Sequence, residues 1–255
     1  MNRSLFAERH PYWFVAILEV VTIIVYLLVG TVAYFTHLSN DWLYGIASLI
    51  LSVIAAFLLT QMGWWKVVGF RLPNQGRDLW YFVLPLLPVV ITLVIGVEVT
   101  SLLLLAKFLV ITLLIGFAEE AIFRGLMLNT LKANGFWRAA MITALLFGLS
   151  HALNVLSGKS MAETAAQIFY AVAFGFAFAA LVLKKGILWP LVIVHFLIDF
   201  ASFLARPGFT ISPDWNLLLV VGLAVIFTAY GLFVMLQKDS VTVRPVEVLA
   251  SSPVP

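Results

Sequence analysis

An all-α, polytopic integral membrane protein with about eight transmembrane helices enclosing an intramembrane cavity is the fold class that the sequence predicts. Three observations predict it. The chain is 63% hydrophobic and 11% charged, with a mean hydropathy of +1.09, too little charge to cover a soluble surface. Its apolar residues fall in runs of about 20, the length that crosses a hydrocarbon core about 30 Å thick at 1.5 Å per residue. Its basic residues sit almost entirely in alternate connections between those runs.

The segments follow in order. The first, 12–35, is too long for a signal h-region, so it reads as a span and no cleavable signal peptide is expected. After 42–65 comes the longest connector, 66–79, whose basic residues, Pro73 and Gly76 predict a cytoplasmic loop or a short interfacial helix. Pro85 and Pro88 should kink the third segment, 80–98, with opening of space inside the bundle and plain irregular packing as equal alternatives. A weak break at Val99-Thr100-Ser101 precedes 101–131, followed by 137–154 and 162–183. The seventh segment, 187–204, holds Pro190 in its first turn, where proline is tolerated, and the eighth is 215–237. In lipid the backbone must satisfy its own hydrogen bonds, so all are helices. Residues 1–238 form a single transmembrane domain, and 239–255, rich in Ser and Pro, a disordered tail.

With the N-terminus inside, the cytoplasmic segments carry Arg3, Arg9, Lys66, Arg71, Arg77, Lys132, Arg138, Lys184, Lys185, Lys238 and Arg244, and the outer loops only Lys159 and Arg206. The positive-inside rule therefore places both termini in the cytoplasm. Tyr12-Trp13, Trp42, Trp64-Trp65, Trp80-Tyr81, Trp137 and Trp215 mark proposed helix ends, as an interfacial belt does. The absence of cysteine excludes disulfides, iron–sulfur clusters and thiolate zinc sites. A net charge of +3 is not that of a nucleic-acid binder.

Ionised groups cost about 2.5–3.5 kcal/mol each at the bilayer centre, so Glu119, Glu120 and Arg124 within one apolar run need partners and a reason. Glu120 and Arg124 are four apart and share a helix face, whereas Glu119 lies about 100° round the helix. One carboxylate can hold the arginine while the other faces a cavity. Phe147 and His151, and His195 and Asp199, have the same four-residue spacing. Counted from the basic ends of antiparallel helices, Glu119 and His151 both lie roughly 20 Å deep, with His195 nearer the cytoplasm. That predicts a shared site open to the cytoplasmic side. Phe147 reads as packing, Lys107 as snorkelling outward, and Glu19 as a buried charge that could line the cavity.

Glu-Glu-x-x-x-Arg, Phe-x-x-x-His and His-x-x-x-Asp, each on its own apolar segment, resemble the CAAX protease and bacteriocin-processing (CPBP, or Abi) family over residues 103–203. The resemblance implies a glutamate-dependent intramembrane endopeptidase with no covalent intermediate. In it Glu119 is the general base, His151 positions water, and His195 with Asp199 stabilises the oxyanion. Glu120 and Arg124 shape and charge-balance the site. Asp199 stands where the prenyl-protein proteases carry Asn, and an ionised aspartate cannot donate a hydrogen bond, so its role is left open between orienting His195, holding a proton and an altered chemistry.

The implied partners are the bilayer and a membrane-proximal protein or peptide, and no cofactor is implied. Competing expectations are a zinc site at Glu119, His151 and His195, a proton-coupled transporter, and a non-proteolytic immunity or scaffold protein. The sequence lacks His-Glu-x-x-His and Gly-x-Gly-Asp, and it places no rhomboid-type serine motif beside a partner histidine.

Overall fold

A computed structural model describes residues 6–73, 75–206 and 213–237. The tail expected to be disordered, 239–255, lies outside the described residues. Among those described, seven helices are long and apolar enough to cross a membrane, and an eighth apolar helix is shorter. They are α1 (Pro11–Thr36), α2 (Asn40–Met62), the helical span Gly76–Ile95 with α3 (Leu87–Ile95) at its end, α4 (Leu102–Glu119), α5 (Phe136–Ser150), α6 (Met161–Lys185), the short α7 (Trp189–Phe203) and α8 (Pro213–Leu236). All eight apolar segments of the sequence are present, and the polytopic all-α class is borne out.

The weak third boundary is a genuine break. Gly96 takes φ 120, Glu98 N donates to Leu204 O at 2.8 Å, and the Ser101 hydroxyl caps α4 by accepting from Leu104 N at 3.1 Å. Pro85 and Pro88 act more strongly than a kink. The segment before α3 is wound as 3-10 turns over Gly76–Phe82 and Leu84–Leu86, and the missing N–H groups of Pro85 and Pro88 remove the α-helical partners of Tyr81 O and Leu84 O. No residue of this span lines the cavity described below, so the opening of space is not seen.

Lipid supplies little hydrophobic drive between helices, so close packing of small residues must do it. One face of α2 is Gly45, Ser48, Ser52 and Ala55, all buried, set against α4. The Ser52 hydroxyl donates to Leu114 O at 3.3 Å. Gly116 of α4 meets α7 more tightly still: a Cβ there would lie 2.9 Å from Phe196 N and 3.0 Å from Val192 O. Backbone cannot move aside as a side chain can. Gly116→Val is therefore expected to cost about 1–3 kcal/mol by overpacking, read as a lowered unfolding temperature in detergent. The α4–α7 contact matters because these two helices carry the groups described next.

Two ends of the bundle can be told apart by contacts. At one, Arg71 Nε donates to Gly186 O at 3.1 Å, Lys185 pairs with Asp78 at 3.5 Å, and Lys184 Nζ donates to Gln237 O at 2.7 Å. These gather the α2–α3, α6–α7 and α8 ends. At the other, Lys107 of α4 pairs with Asp41 at the start of α2 and lies 5.0 Å from the Trp42 ring. Lys107 is thus ion-paired between helices, not snorkelling outward as expected, because the neighbouring helix supplies a carboxylate within reach.

Candidate active site

At Glu120 the fourth span leaves α-helical geometry. Residues Glu120–Leu128 are wound as a π-helix, and every one of them is buried. π segments are rare and are frequent at functional sites. Glu119, the last α-helical residue, and Glu120, the first π-helical one, diverge here.

Glu120 turns inward. Its Oε1 accepts from Arg124 Nη1 at 3.1 Å and lies 2.8 Å from His195 Nδ1. The Arg124 guanidinium is buried beneath aromatic rings, its Cζ 4.1 Å from the centre of Phe147 and 5.4 Å from that of Phe178. A guanidinium over a ring face is attracted by the ring quadrupole, which partly replaces lost hydration. Phe147 also packs edge-on against His151 and His195, at 5.1 and 6.1 Å between ring centres. It acts as a wedge among charged groups, consistent with the packing role expected of it.

Glu119 faces the other way, into a cavity of about 380 Å³ lined also by His151, His195 and Asp199. His195 Nε2 lies 3.6 Å from Glu119 Oε2 and 3.7 Å from Asp199 Oδ2. Glu119 Oε2 is buried and has no hydrogen-bond partner in the protein. His151 enters from the C-terminus of α5, where the chain passes into a 3-10 turn over His151–Ser157. Its Nδ1 is 2.8 Å from Phe147 O. A carbonyl oxygen only accepts, so Nδ1 carries the proton and Nε2 keeps its lone pair. The same logic places a proton on His195 Nδ1, which faces the arginine-paired carboxylate of Glu120.

The six candidate site residues are therefore in one neighbourhood: Glu119, His151, His195 and Asp199 on the cavity wall, with Glu120 and Arg124 behind them. The bond from His195 to Glu120 was not legible, since it joins residues 75 apart in sequence. Glu19 does not line the cavity. Its Oε1 lies 3.0 Å from the Ser150 hydroxyl, tying α1 to the residue before His151. Among the described residues, no group of three or more His, Asp or Glu side chains is arranged to hold a metal ion.

The lining shows which end of the bundle the cavity reaches. Beyond Glu119 the lining continues through Tyr26, Tyr44, Asn154, Lys159 and Ser202, toward the end where α1 meets α2 and α5 meets α6. Toward the basic end, Leu51, Ile122, Phe123 and Phe147 close the floor at 2% exposure or less. Depth counted along isolated helices gave the level of the residues. It could not show which end the packing seals.

Comparison with curated proteins and with solved structures found no match. Residues 101–201, the stretch that holds Glu119, Glu120, Arg124, His151, His195 and Asp199, match the family described as type II CAAX prenyl endopeptidase Rce1-like, in agreement with the resemblance that the three motifs carry.

Proposed function

We propose that the protein is an intramembrane endopeptidase in which Glu119 activates water for attack on a peptide bond of a membrane-associated substrate. One observation carries this reading. Of two adjacent carboxylates, Glu120 is fully buried and engaged through Oε1 by Arg124 and His195, while Glu119 lines the cavity beside His195 with no hydrogen bond to its Oε2.

The chemistry follows from the protonation pattern. Water in the cavity gives a proton to ionised Glu119 while His151 Nε2 accepts its second O–H and fixes its orientation. The water oxygen bonds to the substrate carbonyl carbon, and the carbonyl electron pair moves onto oxygen. His195, protonated at Nε2, donates to that oxyanion, a preorganised charge in a site of low dielectric. Glu119 then returns the proton to the amide nitrogen. The C–N bond breaks, giving an amine and a carboxylic acid with no covalent enzyme intermediate.

Charge counting suggests the role of Asp199. Three carboxyls face one guanidinium and one imidazole, so with Glu119 and Glu120 ionised and His195 cationic, neutrality leaves one proton for Asp199. A protonated carboxyl donates a hydrogen bond as an amide does. Asp199→Asn should accordingly stay within about tenfold of wild-type turnover, whereas Asp199→Leu should lose about 10²–10³-fold, the effect of removing one oxyanion donor. Equal loss in both variants would show that the carboxylate itself is required.

The reading is tested by terminal-peptide proteomics on membranes holding the wild type or Glu119→Gln. New peptide ends that depend on Glu119 are expected. If the two sets of ends coincide, the protease reading fails.

A further inference from the structure

We infer that the catalytic cavity opens on the extracytoplasmic face, so that its substrates are peptide segments presented on that side of the membrane. The inference rests on the protease reading for its substrate and on two independent features for its direction.

The first feature is the shape of the cavity wall. From Glu119 toward the C-terminal end of its span, the chain is sealed: Leu126, Met127, Leu128 and Leu131 are each at most 1% exposed. In the opposite direction the lining reaches residues open to solvent, Lys159 in the α5–α6 connection and Ser202 near the end of α7. Lys159 Nζ and Asn154 Nδ2 both donate to Gln167 Oε1 at 2.9 Å, which gives this mouth a polar rim. A mouth with polar groups admits water and an extended peptide, whereas the sealed apolar floor offers no hydrogen-bonding partner to either.

The second feature is the charge at the two ends. The sealed end carries Arg9, Lys66, Arg71, Arg77, Lys132, Arg138, Lys184 and Lys185 against Glu8 and Asp78. At the open end the cations Lys107, Lys159 and Arg206 are matched by Asp41, Glu98 and Glu163. Basic residues close to span ends are retained on the cytoplasmic side. The sealed end is then cytoplasmic and the mouth extracytoplasmic. A peptide displayed on the cytoplasmic surface, including a prenylated C-terminus there, meets the floor and not the mouth.

The chain contains no cysteine, which allows a direct test. Lys159→Cys and Lys66→Cys are made separately and treated with a membrane-impermeant maleimide, in intact cells of a bacterial host and after permeabilisation. Lys159→Cys is expected to react in intact cells, and Lys66→Cys only after permeabilisation. The reverse pattern overturns the inference, as does labelling of both variants in intact cells. Labelling needs no turnover, so it stands apart from the protease reading. The substrate half is read from the Glu119-dependent peptide ends: extracytoplasmic segments are expected, and ends confined to cytoplasmic segments overturn it. Absence of any Glu119-dependent end, with the labelling as expected, would sink the protease reading and leave the direction of the cavity standing.

Discussion

Glu119→Gln is expected to abolish peptide hydrolysis while leaving the protein folded. Glutamine has the same shape but negligible basicity, so the variant loses the proton acceptor and little else. General-base catalysis contributes about 10²–10⁴ in rate, or about 3–5 kcal/mol of barrier at a tenfold change per 1.36 kcal/mol. Folding should be spared for a structural reason. The lost carboxylate oxygen, Oε2, makes no hydrogen bond in the protein. Its nearest charged neighbour, His195 Nε2, lies at 3.6 Å and keeps its other bond, through Nδ1 to Glu120. Single-turnover hydrolysis of a verified substrate, with the unfolding temperature as control, separates the two effects. Wild-type turnover in Glu119→Gln would remove Glu119 from the mechanism. Loss of folding along with activity would mark it as structural glue.

That division of labour between adjacent carboxylates shows how far the sequence could be read. Four-residue spacing was enough to pair Glu120 with Arg124, because neighbours on a helix face meet whatever the tertiary structure. The spans were legible for a comparable reason: hydrocarbon thickness sets helix length, and composition alone reports it. What could not be read were contacts chosen by packing. The π-helical winding from Glu120 to Leu128 has no local signature in Glu-Ala-Ile-Phe-Arg-Gly-Leu-Met-Leu. The Lys107–Asp41 and Glu19–Ser150 contacts join helices distant in sequence. Each is a polar group in an apolar span finding whichever partner the bundle brings near. The sealed floor is of the same kind. Leu126, Met127 and Leu131 are unremarkable apolar residues in sequence, and only their neighbours make them a barrier.

The second large effect falls on the buried ion cluster and separates charge-balancing from catalysis. Glu120→Ala should destabilise the protein by about 3–5 kcal/mol, the cost of stripping one partner from a buried pair. It leaves the Arg124 guanidinium at 1% exposure with no carboxylate in contact, and Arg124 Nη2 already lacks a partner. Arg124→Met should cost less, because Glu120 Oε1 keeps its bond from His195 Nδ1 at 2.8 Å. Joining Glu120→Leu with Arg124→Met should recover most of the stability, since apolar residues of similar volume replace a buried pair at little net cost. The double variant should nevertheless remain inactive. Without Glu120, the His195 ring loses the hydrogen bond at Nδ1 that keeps Nε2 turned between Glu119 and Asp199. Unfolding measurements on all three proteins, paired with hydrolysis rates, form the check. An active double variant would show that His195 is oriented by the aromatic wall of Phe147, Phe174 and Phe178 alone. A double variant no more stable than Glu120→Ala would show that the cluster is required by the fold itself, and not only for the charge it balances.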